Sequence, residues 1–178
     1  MTGNMGPSGL SAIVIRDEHA TDVAAIHALT AAAFLDAPHT SHTEQFIVDA
    51  LRAAGVLTLS LVAVVDDEIV GHVAVSPVVV SDGSTGWYGL GPISVTPRLQ
   101  RQGIGSLLMR AATERLRERD AAGCVLLGNP AYYGRFGFVA TADLVLEGVP
   151  PEYFLALPFG PSSACGRVTY HSAFDATS

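Results

Sequence analysis

The chain is short of the features that define several large protein classes. Cysteine occurs twice, at Cys124 and Cys165, with no CxxC spacing, so no disulfide framework can be built from it. Positive charge is scarce as well. Ten basic residues against seventeen acidic ones leave a formal charge of −7, which argues against broad contact with nucleic-acid backbones or anionic membranes. Long apolar runs are also missing. The most apolar stretch, 56–65, contains Thr58 and Ser60 and is bounded by Arg52 and by Asp66, Asp67 and Glu68, and it is half the ~20 residues that a spanning helix needs. Residues Met1 to Gly9 show no basic start, apolar block or small-residue cleavage pattern, so a cytoplasmic protein is expected, with no nucleic-acid and no membrane partner.

What is present suits a folded enzyme-sized domain. Apolar residues make up 49% of 178 and charged residues 15%, which excludes disorder over most of the length. No internal repeat or linker divides it, so residues 12–178 are expected to form one domain behind a flexible tail at 1–11. Short β-branched runs predict strands near 12–16, 57–65, 68–80, 87–95, 124–127, from Phe138 onward, 153–159 and 166–171, with a hairpin turn at Asp66 and Asp67. Apolar positions at helical spacing predict a first helix from an N-cap at Thr21 to Leu35. A second is expected to open at a capping box of Ser41 and Glu44 and to close at Gly55. A third carries Ile104, Leu107, Leu108, Ala111, Ala112 and Leu116 on its core face, and Pro130 to Phe136 reads as a short fourth. Cys124 begins an apolar run and reads as a small buried hydrophobe.

The strongest chemical signal lies between the fourth strand and the third helix, at Gln100, Arg101, Gln102, Gly103, Ile104 and Gly105. Backbone N–H groups at a helix start lack internal partners and carry the positive end of the helix dipole, so they suit phosphate. Glycine lets the backbone come close to such a ligand, and Arg101 can pair with its charge. No Gly-Lys-Ser/Thr and no full Gly-x-Gly-x-x-Gly is present, which disfavours a P-loop nucleotidase and a dinucleotide-binding domain. A lone Gly-x-Gly turn can also serve chain geometry only.

This segment resembles the Gln/Arg-x-x-Gly-x-Gly/Ala signature of the GNAT family of N-acetyltransferases, at the place in the element order where that family carries it. The stretches 90–97 and 130–138 look like those of its bacterial YhbS-type subgroup. The resemblance covers about residues 12 to 175. It implies an α+β fold with a mixed, mostly antiparallel central sheet flanked by helices, and acetyl-CoA as acyl donor. In that fold Ile93, Ser94 and Val95 offer backbone to the pantetheine arm, and the amides around Arg101, Gln102, Gly103, Ile104, Gly105 and Ser106 hold the pyrophosphate, with Gln100 beside them. Asn129 ends the fifth strand, where a polar group can meet cofactor, although it stands closer to Tyr133 than the family spacing has it. No metal site is expected.

Acetyl transfer to an amine needs a neutral nucleophile, an oxyanion stabiliser and a proton for the leaving thiolate. Tyr133 occupies the position of the family's thiolate-protonating tyrosine and is the candidate acid; an aromatic core residue is the alternative. For a base, Asp36, His39, His42 and Glu44 surround the loop between the first two helices. Glu44 already has the capping role, and the HxxH pair lacks further ligands and reads as solvated. His72 reads as a satisfied strand residue, which leaves deprotonation to ordered water. The expected function is acetyl transfer to an amine of a small molecule or protein in a ternary complex, by a monomer or homodimer. A non-catalytic acyl-CoA sensor or partner-binding module on the same fold is the alternative.

Overall fold

The computed structural model describes residues 11–178; most of the predicted N-terminal tail lies outside the described residues. In chain order the strands are β1 (Val14–Asp17), β2 (Leu59–Val65), β3 (Glu68–Val80), β4 (Trp87–Val95), β5 (Gly123–Leu127), β6 (Val139–Ala140), β7 (Leu144–Val145), β8 (Phe154–Pro158) and β9 (Gly166–Tyr170). The helices are α1 (Val23–Phe34), α2 (Glu44–Ala53), α3 (Ile104–Glu118) and the single turn α4 (Pro130–Tyr133).

Alternation of side chains along the strands creates the layers. On β2, Leu61 and Ala63 face α3, whose Ile104, Leu108, Ala112 and Leu116 are all buried. Val62, between them, faces the other way and packs with Ile26 of α1 and Val48 of α2. Gly71 lets α3 sit close to the sheet, since a Cβ there would fall 2.9 Å from Leu108 Cδ1. Leu107, expected on the core face, is 41% exposed. The helix buries a narrower stripe, spaced by four and widened by Met109.

The sheet runs β1-β2-β3-β4-β5-β8-β6, with β9 paired to the far end of β3 and β7 to β9. It is mixed and mostly antiparallel, as expected, with parallel pairs only at β4/β5 and β7/β9 among the described residues. The β2–β3 hairpin turns through Asp66 and Asp67, both at positive φ (49° and 64°), the handedness that suits the twist of a two-residue hairpin.

The feature that makes the site lies between β4 and β5. Their ladder covers only Trp87–Gly89 against Gly123–Val125. Beyond Gly89, β4 pairs with β3 alone, and the register jumps from Val75↔Leu90 to Val73↔Ile93. Three residue steps on β4 thus oppose two on β3, at a Gly91 with φ 136° and a Pro92 that has no N–H to donate. The two strands part there, and the rest of β4 offers one free edge to the gap.

The predicted Thr21 cap is not formed. Thr21 lies inside a 3-10 turn before α1, and it is Asp22 that accepts from the His19 backbone N–H at 2.7 Å. Arg16 holds that carboxylate at 2.7 Å, and its hydrogen bond keeps the Asp22 pKa below the usual carboxylate range. The predicted strand at 153–159 begins one residue later, because Tyr153 belongs to a 3-10 turn.

Candidate functional site

Val95 ends β4, and after a short turn α3 begins at Ile104 with Gly103 as its N-cap. Gly103 has φ 90° and Arg101 φ 62°, left-handed conformations that bend the chain so that the helix start faces outward. The amides of Ile104, Gly105 and Ser106 have no backbone acceptor among the described residues. They open onto a groove of about 420 Å³ lined by Val95, Gln100, Arg101, Gly103, Gly105, Ser106, Tyr132 and Arg135, among others. A Cβ on Gly105 would point into that groove, 3.5 Å from the Tyr132 hydroxyl and 3.9 Å from Val95 Cγ2.

The remaining predicted residues divide between backbone and side-chain roles. Ile104 is buried in the core, so only its amide is available to a ligand. The Gln100 side chain donates to the Val95 carbonyl at 3.1 Å and that of Gln102 to the Arg98 carbonyl at 3.4 Å, which fixes the turn from within. The Ser94 hydroxyl is buried, 3.4 Å from that of Thr30. Asn129 spends its side-chain oxygen on the Ala131 amide at 2.9 Å, capping α4, and that bond explains the residue without a ligand. Sequence reasoning missed Arg135. Its guanidinium stacks 4.4 Å from the Tyr132 ring centre and lines the groove, and only the folding of α4 over the start of α3 brings it there.

A second cavity, about 460 Å³, occupies the gap between β4 and β5 and reaches under α1 and α2. Ile93, Leu126 and Tyr133 belong to its wall. Tyr133 is half-buried against Tyr132, edge to face at 4.8 Å, and against Phe138. It needs Gly128, where a Cβ would collide with its ring at Cε2 and Cδ2. Burial, helped by the nearby Tyr132 phenol, pushes the Tyr133 hydroxyl above its ordinary pKa of 10, so it is protonated at neutral pH.

Glu44 also lines this cavity, and here the expected capping box fails. Thr43 is the N-cap of α2, and the Ser41 hydroxyl bonds that of Thr43 at 2.6 Å. Glu44 instead turns inward. Its Oε1 accepts from the Thr40 hydroxyl, and its Oε2 is buried with no hydrogen-bond partner. Asp36, His39 and His42 are exposed, and among the described residues no group of His, Cys, Asp and Glu could hold a metal ion.

His72 is fully buried on β3, opposite Ser94 of β4. Its Nε2 is 2.8 Å from the Ser60 hydroxyl, which donates to Glu18 at 2.7 Å. A hydroxyl has one hydrogen, so His72 donates to it through Nε2, and its burial favours the neutral ring. Burial lowers its pKa to about 4. For Glu18 burial acts upward, but the hydrogen bonds from Arg52 and Ser60 outweigh it and hold the carboxylate below its ordinary value. Cys124 is buried, and desolvation pushes its thiol up to about 12, which makes it inert.

A strand pair that parts into a cleft, with a helix start and glycine turn at its mouth, defines an acyltransferase-type fold. The model of the acetyltransferase (GNAT) family matches residues 17–138, and the chain belongs to that family. It is 37% identical over 131 residues to Escherichia coli K12 YhbS, an N-acetyltransferase described as uncharacterized, covering 73% of this chain and 75% of YhbS. Among solved structures, a GNAT family acetyltransferase from Brucella melitensis in complex with acetyl-CoA is 48% identical, with a TM-score of 0.83 over 92% of this chain and 99% of that one. Escherichia coli YhbS in complex with CoA has a TM-score of 0.86 at 33% identity, over 96% and 95%. No helix among the described residues is long and apolar enough to cross a membrane.

Proposed function

We propose that residues 12–178 act as one acetyl-CoA-dependent N-acetyltransferase domain that passes the acetyl group directly to a bound amine. The observation that carries this reading is the continuity of three parts: unpartnered amides at the start of α3, the freed edge of β4, and the cavity at Tyr133. The amides of 101–106, with Arg101 and Arg135, would hold a pyrophosphate. Backbone of Ile93 to Val95 would pair with the pantetheine arm as a further strand would. The complexes of the Brucella and Escherichia relatives with acetyl-CoA and CoA support this choice of donor, and such a donor fits work in the cytoplasm.

Acetyl-CoA brings the thioester carbonyl that an amine attacks, and Tyr133 gives its phenolic proton to the departing sulfur. Binding of acetyl-CoA in the micromolar range by titration calorimetry, together with thiol release that depends on an added amine, is the expected result. Tight binding without thiol release across an amine panel would favour the non-catalytic sensor instead.

A further inference from the structure

The cavity at Tyr133 has a composition that narrows the acceptor. Among the described residues, Glu44 is the only acid that lines it and no basic residue does. Phe34, Ile47, Leu127, Tyr170 and Phe174 contribute large apolar and aromatic side chains to the remaining wall. Tyr170 and Phe174, edge to face at 4.8 Å, come from the C-terminal part of the chain, which closes the side of the cavity away from the glycine turn.

One carboxylate in an apolar chamber has a specific consequence. A buried carboxylate oxygen without a donor is unfavourable, and the Oε2 of Glu44 is such an atom. A single ammonium group satisfies it. A polyamine or an aminoglycoside would bring further cations that meet no second acid. A free amino acid would bring a carboxylate that meets no arginine or lysine. An aliphatic or aromatic body, by contrast, matches the rest of the wall.

Resting on the transferase reading, we propose that this cavity is the acceptor site and takes a primary monoamine on a compact apolar body, of the arylalkylamine kind, anchored by Glu44. In the transfer the ammonium gives one proton to Glu44, and its nitrogen lone pair forms the new bond to the thioester carbonyl carbon. The carbon–sulfur bond then breaks, and the thiolate takes the Tyr133 proton. The second nitrogen proton replaces the one Tyr133 gave. The products are an N-acetylamine, CoA thiol and one proton released from Glu44 to solvent.

The test is calorimetric binding of 2-phenylethylamine, spermidine and 3-phenylpropionate to the full chain saturated with CoA, beside thiol release from acetyl-CoA with the same compounds. 2-Phenylethylamine is expected to bind at least about tenfold more tightly than the other two. Glu44→Gln, which keeps the Thr40 bond, should fold and bind CoA as the parent does, yet lose roughly ten- to a hundredfold in amine affinity, the range for a hydrogen bond to a charged group. Equal or tighter binding of spermidine or phenylpropionate overturns the inference. So does absence of amine binding, or parental amine affinity in folded Glu44→Gln, and the transferase reading stands if another amine is acetylated. Selective phenylethylamine binding that Glu44→Gln abolishes, with no thiol released by any amine, upholds the ligand class and removes the transferase reading.

Discussion

Replacing Gly105 by alanine should move stability and cofactor affinity in opposite directions, and the structure sets the size of both effects. Gly105 is in the first turn of α3 at an ordinary helical φ, and its added Cβ would make only van der Waals contacts, at 3.5 Å and beyond. Alanine in a helix is favoured over glycine by ~0.5–1 kcal/mol, which for a chain of this size raises Tm by roughly 1–4 °C. The same methyl group enters the groove beside the free amides of 104–106. A pyrophosphate displaced there weakens at least one charge-assisted hydrogen bond, worth ~1.5–3 kcal/mol, so acetyl-CoA affinity should fall by about tenfold or more. Gly103→Ala supplies the contrast. Its φ of 90° strains any L-residue, but its Cβ would meet nothing within 4 Å, so it should lose ~1–2 kcal/mol of stability. Titration calorimetry and thermal denaturation on both variants give the four numbers. A Gly105→Ala variant that binds acetyl-CoA as tightly as the parent would refute the phosphate-cradle argument, whatever its Tm.

Tyr133→Phe should retain acetyl-CoA affinity and fold stability, because the ring packing against Phe138 and over Gly128 is kept. It should slow acetyl transfer by ~10²–10⁴-fold if the phenol is the acid. Parental turnover with an acceptor amine, under conditions where chemistry is rate-limiting, would reduce Tyr133 to a packing residue. For His72, the folded pKa of about 4 lies below the ordinary 6.5, so between those values the unfolded chain binds the extra proton. Its contribution is therefore complete above pH 6.5 and is lost as pH falls toward 4, at up to ~1.4 kcal/mol per pH unit. Denaturant midpoints at pH 7, 6 and 5 should fall in the parent and flatten in His72→Gln, which can still donate to Ser60; an unchanged slope would contradict the buried-neutral assignment.

Periodicity and composition alone determined most of the element order. Strand alternation and the four-residue spacing in α3 are local properties of the chain, and so is the glycine turn, because a φ of 90° at Gly103 and unpaired amides at a helix start need no partner from elsewhere. The sequence also placed Tyr133 correctly in the turn after β5, without showing whether it meets the cleft. The role of Glu44 was a different matter. Ser41 and Glu44 have capping-box spacing, yet the structure points Glu44 at the cavity, where the Thr40 hydroxyl gives its carboxyl a partner. The cap that the Asn129 side chain makes on α4 was likewise not read from the sequence. The parting of β4 from β5, the arrival of Arg135 at the groove, and the closure by Tyr170 and Phe174 depend on contacts between segments far apart in sequence. Such contacts are set by how whole layers pack, which no local pattern of residues encodes.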